Sequence, residues 1–177
     1  MTTAGRLFYE RGIAATGVEA VAAAAGVGKP ALYRHFGSKA GLVAASLHRR
    51  HHDRRRQLEE RLAATSDDQA AITVVEWITE WIASEGFLGC GFVRAVGEPG
   101  AVDDRVASEA RAHKLWLAGE IRSACARSGL TPVDDTARHL QLLIEGATAT
   151  ALVEGTGTTA GDDLRRAGAT VIENARS

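Results

Sequence analysis

The fold of this 177-residue chain is indicated most clearly by one run near its N-terminus, AGVGKPALYRHFGSKAGL, residues 25–42. Glycines interrupt this run at positions 26, 28 and 37. Glycine tolerates the backbone conformations that end helices, so we predict one helix that stops at Gly26 and a second from Lys29 to Phe36. Two short helices around a three-residue glycine turn form a helix-turn-helix.

The second helix of this pair is predicted to present a cationic and aromatic face. Pro30 is tolerated in its first turn, because the amide that proline lacks has no intrahelical partner there. Leu32 and Phe36 are four residues apart and can reach the core together, which leaves outward-facing side chains at Lys29, Tyr33, Arg34 and His35. Such side chains can donate hydrogen bonds to phosphate oxygens. The alternative is a plain helical hairpin with a solvated polar face.

The segments on either side of the pair carry helix signals of their own. Leu7 and Phe8 belong to a predicted first helix that ends at Gly12. Thr16 and Glu19 have the spacing of a capping box, which predicts that the next helix begins at Thr16. Beyond the pair, Ser38 is placed to cap a fourth helix.

Charge is distributed unevenly along the chain. Residues 1–61 contain 11 lysines and arginines against 5 acidic residues, whereas the whole chain has a net charge of -1. A basic head on an acidic body favours a polyanionic partner for the head. The run HRRHHDRRR, residues 48–56, adds to that attraction. His48 and His52 have a metal-binding spacing, but no third ligand is evident, so we favour a solvated basic face and predict no metal.

Helical periodicity continues to the C-terminus, so the chain is predicted to be all-α, with about nine helices. Its two cysteines suit a reducing compartment and give no disulfide framework. No signal-peptide pattern and no apolar run of about 18 residues is visible. We therefore expect a cytoplasmic protein without a membrane partner.

The C-terminal body combines apolar stripes with several aromatic residues. A long helix is predicted from about residue 103 to 128, and two final helices cover about 134–154 and 162–176. The stripes of the final pair must be covered, either inward or by a second copy of the chain. Five residues are candidates for either the core or an aromatic ligand pocket: Trp77, Trp81, Phe92, His113 and Trp116. Cys90, between two glycines, is predicted to be accessible, and a redox role is a minor alternative.

Residues 7–43, LFYERGIAATGVEAVAAAAGVGKPALYRHFGSKAGLV, resemble the DNA-binding domain of the tetracycline-repressor (TetR) family without a gap. This resemblance implies a three-helix DNA-binding domain over residues 1–44. A fourth helix would join it to a ligand-binding and dimerisation domain over residues 45–177, and the protein would be a homodimer whose final two helices form a four-helix bundle. Gly28 and Gly17 depart from the family, which often has hydroxyl residues there.

The resemblance also implies DNA contacts by position. Lys29 would face the major groove and Ala31 would approach bases closely, whereas Tyr33, His35 and Lys39 would contact phosphates. The full predicted DNA-binding set is Lys29, Pro30, Ala31, Tyr33, Arg34, His35 and Lys39.

The sequence thus predicts a ligand-responsive regulator, a repressor released from a palindromic double-stranded operator by a small, mostly apolar effector. No cofactor is expected. An enzyme using Cys90, His113 or Glu145 is the first alternative, and we disfavour it because no nucleophile motif or phosphate-binding loop is present. A constitutive DNA-binding protein without a ligand is the second alternative.

Overall fold

A computed structural model of the protein describes residues 3–98, 103–155 and 158–176. All regular structure within these ranges is helical, which confirms the predicted all-α class with nine α-helices. They are α1 (Thr3–Arg11), α2 (Val18–Ala25), α3 (Lys29–Phe36), α4 (Lys39–Ala63), α5 (Ala70–Ile82), α6 (Gly91–Gly97), α7 (Asp104–Arg127), α8 (Val133–Glu154) and α9 (Ala160–Asn174). A single 3-10 turn, Asp67–Gln69, precedes α5. No helix of the described ranges has the length and apolar character that crossing a bilayer requires.

The chain forms two compact units. The first comprises the described residues of Met1–Arg55 and Cys90–Lys114, and the second those of Arg56–Gly89 and Leu115–Ser177. The first unit therefore contains α1 to α3, most of α4, all of α6 and the beginning of α7. The resemblance implies a boundary at residue 44 between a DNA-binding domain and a ligand-binding and dimerisation domain. This functional boundary stays a prediction.

The predicted start of α2 is wrong by two residues. Gly17 occupies the N-cap position, no side chain caps the helix, and α2 begins at Val18. Thr16 is buried, and its hydroxyl donates to the carbonyl oxygen of Gly12 at 2.6 Å. The hydroxyl is therefore engaged in closing the α1–α2 loop. The other end of α2 is as predicted, because Gly26 adopts a left-handed conformation with φ 67°.

Helix α4 starts very close to the end of α3. As predicted, Ser38 caps it: the Ser38 hydroxyl oxygen accepts a hydrogen bond from the amide of Gly41 at 3.0 Å. A Cβ atom on Gly41 would lie 2.1 Å from the carbonyl oxygen of Phe36. Only glycine allows this approach without a backbone shift, so residue 41 fixes how α4 follows α3.

The second unit has an apolar core to which α5, α7, α8, α9 and the end of α4 contribute. Its largest fully buried side chains are Leu58, Ile78, Ile121, Leu130 and Leu140. Helix α9 packs closely on α5 at Gly168, where a Cβ atom would lie 3.0 Å from Cγ1 of Val75. The Thr79 hydroxyl adds a hydrogen bond to the carbonyl oxygen of Gly161 at 3.2 Å.

The apolar stripe predicted on α8 turns inward. Ala137, Leu140, Ile144 and Ala151 are buried in the core of the second unit. The side of α8 that faces solvent in the monomer carries different apolar residues, with Leu142 67% exposed and Val153 87% exposed.

Candidate nucleic-acid interface

Helix α3 presents the residues that the sequence assigns to DNA. Its N-cap is Gly28, which supplies no side-chain hydrogen bond, and Pro30 occupies the first turn. The exposed side chains of the helix are Lys29, Pro30, Tyr33, Arg34 and His35, whereas Ala31 is half-buried. No acidic residue occurs in the helix. The result is a cationic and aromatic surface on the second helix of a helix-turn-helix.

Leu32 and Phe36 attach α3 to the rest of the head less tightly than predicted. Both are only half-buried, and they line a shallow apolar depression with Val21 of α2 and Leu42 of α4. The His35 ring packs edge-on against the Phe36 ring, with centroids 4.5 Å apart. The helix is therefore held by a small apolar contact, and most of its surface remains open to solvent.

Lys29 has an acidic partner that sequence reasoning did not identify. Its ammonium group bonds the carboxylate of Glu19 on α2. This hydrogen bond is the main cause that lowers the pKa of Glu19 and raises the pKa of Lys29. The same ammonium lies 5.8 Å from the Tyr33 ring centroid. If Lys29 binds DNA, its ammonium group must either leave the Glu19 carboxylate or contact both the carboxylate and the DNA.

Lys39 lies at the start of α4, where the sequence places a phosphate contact. Its ammonium donates to the carbonyl oxygen of Ala14 at 3.4 Å. Arg105, far away in sequence, donates to the hydroxyl oxygen of Ser38 at 3.1 Å and is itself held by Asp103. Two basic side chains therefore flank this helix start, whose free amides also favour anions. No sequence signal links Arg105 to this position, because 67 residues separate it from Ser38.

The predicted ligand residues fall into two groups, one in each unit. In the first unit, the Phe92 and His113 rings are stacked, with centroids 3.7 Å apart. In the second unit, the Trp77 and Trp116 rings meet edge-on at 6.4 Å, and Trp81 meets Phe87 at 4.9 Å. Trp77 is buried, whereas Trp81 and Trp116 are half-buried. Their role in binding a ligand stays a prediction.

The first unit contains a chain of histidines. His113 is buried, and its Nδ1 atom lies 3.2 Å from Nδ1 of His51. His48 Nε2 lies 3.0 Å from His52 Nε2, and His48 Nδ1 lies 3.2 Å from a carboxylate oxygen of Glu109. Within the described ranges, no group of three or more potential ligands is arranged to hold a metal ion.

The predicted accessibility of the Cys90 thiol is wrong. Cys90 is 9% exposed and occupies the N-cap position of α6. The flanking glycines give the backbone freedom to turn into the helix, but the packing of that turn buries the thiol. Cys125 is also buried, and burial raises the pKa of its thiol to about 11.

The helix-turn-helix with an exposed cationic second helix defines the chain as a DNA-binding protein of the helix-turn-helix class. Residues 1–46 match the family model for bacterial regulatory proteins of the tetR family. Over these residues the chain is therefore similar to bacterial regulatory proteins of the tetR family.

Solved structures of transcriptional regulators resemble the chain over nearly its whole length. A TetR-family transcriptional regulator from Streptomyces coelicolor is 27% identical, with a TM-score of 0.87 over 99% of this chain and 93% of that one. A putative regulator from Streptomyces avermitilis is 28% identical over 94% of both chains, with a TM-score of 0.66. A putative regulator from Saccharomonospora viridis, solved in complex with choline, is 18% identical over 97% and 92%, with a TM-score of 0.73.

Proposed function

We propose that this regulator is a ligand-responsive repressor, not an enzyme, that binds a near-palindromic operator as a homodimer and is released by a small, mostly apolar effector. The observation that carries the proposal is the exposed face of α3, with Lys29, Tyr33, Arg34 and His35 open to solvent. A two-fold dimer presents two such helices, which suits a palindromic site with half-sites about one helical turn apart. Lys39 would add a phosphate contact at the start of α4.

The surface of the second unit supports the dimer. Leu142 and Val153 form an exposed apolar face on α8, and apolar faces of this kind are covered when a partner is present. Ala147 and Val171 lie beside the core and are already half-buried within one protomer. We therefore propose that Leu142 and Val153 contact the second copy.

Two observations support an effector. Aromatic rings cluster in both units, around Phe92 in the first and around Trp77 in the second. The regulator from Saccharomonospora viridis, which shares the fold, is described in complex with choline, a small organic molecule. A constitutive DNA-binding protein would show no change in operator affinity with any ligand.

The DNA contacts can be tested on fragments enriched from random duplexes by the purified protein. Tyr33→Ala and Lys39→Ala should each weaken binding to all sequences alike, by about 1 kcal/mol or roughly fivefold, because phosphate contacts carry no base preference. Lys39→Ala should also reduce the salt slope by about one unit. Fluorescence anisotropy from 50 to 300 mM salt measures both quantities.

Lys114→Ala is the matched control, because Lys114 lies on α7 and belongs to no predicted DNA contact. It should leave operator affinity within about twofold of the wild type. If Tyr33→Ala and Lys39→Ala change sequence preference while total affinity is preserved, their assignment to phosphates is wrong. An enriched pool without two-fold symmetry would contradict the proposed dimeric operator.

A further inference from the structure

The first unit contains a cavity that none of the predicted ligand residues lines. It lies among α1, the loop after α1, α4 and α6, and its apolar wall includes Phe8, Ile13, Leu47 and Ala95. The space open to the centres of water-sized molecules is about 30 Å³. Because water-sized molecules fit within this space, the cavity accepts a small group without rearrangement.

Two arginines converge on one tyrosine at the edge of this cavity. The Arg50 Cζ atom lies 4.1 Å from the Tyr9 ring centroid, and the Arg94 Cζ atom lies 5.6 Å from it. Arg94 also donates to the carbonyl oxygen of Tyr9 at 2.7 Å. A Cβ atom on Gly91 would lie 3.5 Å from Arg50 Cζ. Gly91 and Arg50 are therefore within ordinary van der Waals distance of each other beside the cavity.

The electrostatics of this interior favour an anion. Burial lowers the pKa of Arg50, and the charge of Arg94 lowers it further. Burial, followed by the charge of Arg50, lowers the pKa of Arg54 to about 10. Buried cations that repel one another are stabilised when an anion enters among them.

One carboxylate already lines the cavity. Both oxygens of Glu98 accept backbone hydrogen bonds, from Ile13 at 2.8 Å and from Ala14 at 2.7 Å. Glu98 is thereby fixed to the loop after α1. An incoming anion would instead be drawn to the guanidinium groups of Arg50 and Arg94.

We propose that this cavity binds the carboxylate of a small organic acid, with Arg50 and Arg94 on the carboxylate and the apolar wall around its carbon skeleton. A planar guanidinium matches a carboxylate with two parallel hydrogen bonds. The apolar wall favours an acid with a hydrocarbon body over an inorganic anion, because ligand sites combine apolar walls with few polar anchors. The site would thus accept a mostly apolar effector through its one charged group.

The binding step can be tested by calorimetry on the full-length protein. The probes are sodium butyrate and sodium benzoate, their neutral counterparts butyramide and benzamide, and inorganic phosphate. The acids should bind and raise the unfolding temperature, because a ligand of the native state stabilises it. The amides and phosphate should bind at least tenfold more weakly. Equal binding of acid and amide, tighter binding of phosphate, or no binding by either acid would overturn the proposal.

Variants locate the site. Arg50→Met should weaken the binding of butyrate and benzoate at least tenfold. Arg94→Met should do the same and serves as the test if Arg50→Met fails to fold. Arg49→Met is the matched control, because Arg49 is the adjacent residue on α4 and does not line the cavity. It should bind both acids as the wild type does. Acid binding that survives both Arg50→Met and Arg94→Met would place it elsewhere and overturn the proposal.

A second step of the inference rests on the proposed function. The cavity wall includes Phe8 and Tyr9 of α1, within the segment that matches the DNA-binding family model, so filling it should shift the head and weaken operator binding. By linkage, operator must weaken butyrate by the same factor. Butyrate binding without any change in operator affinity would refute this regulatory step alone. Failure of the ligand-free protein to bind DNA would instead refute the proposed function and leave the carboxylate site standing.

Discussion

The two units bury different kinds of side chain. The second unit has a continuous apolar core, and its ion pairs, such as Arg122–Asp134 and Arg165–Glu76, lie at the surface. The first unit buries or half-buries ionisable groups, including Arg50, Arg54, His51 and His113, beside its apolar residues. Apolar burial stabilises a fold independently of pH, whereas buried ionisable groups make stability depend on pH and on bound charge.

This difference makes the two units suited to different tasks. A unit whose core is apolar suits a constant task such as holding two protomers together. A unit whose interior contains basic groups responds to a proton or an anion, and it is the unit that contains the helix-turn-helix. Substitutions on the second unit's surface should therefore change dimer assembly. Substitutions inside the first unit should change the pH dependence of its stability and its internal contacts.

The largest expected effect comes from the exposed face of α8. Leu142→Glu combined with Val153→Glu should give monomers and lower operator affinity by at least about 100-fold, because one protomer reads only one half-site. Sedimentation velocity and anisotropy measure the two outcomes. Leu115→Glu is the matched control, since Leu115 is 68% exposed on α7 and Leu142 is 67% exposed.

The control should remain dimeric and bind operator normally. A double variant that still sediments as a dimer would show that α8 does not form the interface. Monomers with unfolded second units would be recognised by their circular dichroism and would indicate that Leu142 supports the protomer itself.

The next effect is a pH dependence in the first unit. Burial is the main cause that lowers the pKa of His113 to about 3. The charges of His51, Lys114, Arg54 and Arg50 contribute in the same direction. Burial also lowers the pKa of His51. In the unfolded chain a histidine gains its proton near pH 6.5, so the stability from a neutral His113 is complete above pH 6.5 and is lost as pH falls toward 3.

For one histidine the loss between pH 7 and pH 5 is about 2 kcal/mol. Urea unfolding at the two pH values measures it. His113→Phe, which keeps a ring to stack on Phe92, should reduce this difference, whereas His139→Phe on the exposed side of α8 should leave it unchanged. An identical pH slope in His113→Phe and the wild type would show that His113 is not the responsible group.

A smaller effect is expected at the link between α6 and the head. Glu98→Gln keeps one acceptor oxygen but removes the negative charge that binds the amides of Ile13 and Ala14. The substitution should lower the unfolding free energy by about 1 kcal/mol. Hydrogen exchange at those two amides should accelerate. Glu85→Gln, at an exposed position, is the control. Unchanged exchange at Ile13 and Ala14 would mean that water replaces the carboxylate without loss.

The sequence predicted those parts of the molecule that local signals encode. Gly26 ends α2 and Ser38 caps α4 because each signal acts within a few residues. Thr16 does not cap α2 as predicted, because its hydroxyl bonds backward to Gly12 rather than forward to the helix. The long-range contacts had no local signal. Glu98 accepts hydrogen bonds from Ile13 and Ala14, which are 85 and 84 positions earlier in the chain, and Arg105 donates to Ser38.

The smallest expected effect concerns the Lys29–Glu19 pair on the surface of the head. Both side chains are exposed, so Glu19→Gln should leave the unfolding free energy nearly unchanged. The substitution frees the Lys29 ammonium and removes a negative charge near the phosphates, so operator affinity should rise by about two- to fivefold. Anisotropy titrations at fixed salt measure the change, and Glu10→Gln, which breaks the 3.1 Å pair with Arg6 on α1, is the control.

A double-mutant cycle decides how Glu19 acts. If Lys29 contacts DNA, the gain from Glu19→Gln depends on that lysine and should disappear in a Lys29→Gln background. If the gain persists there in full, Glu19 acts only by repelling phosphates, and the placement of Lys29 in the major groove is wrong. A loss of affinity in Glu19→Gln itself would mean that Glu19 positions Lys29 for DNA. The pair would then belong to the interface as a unit, and α2 would take part in recognition through Glu19.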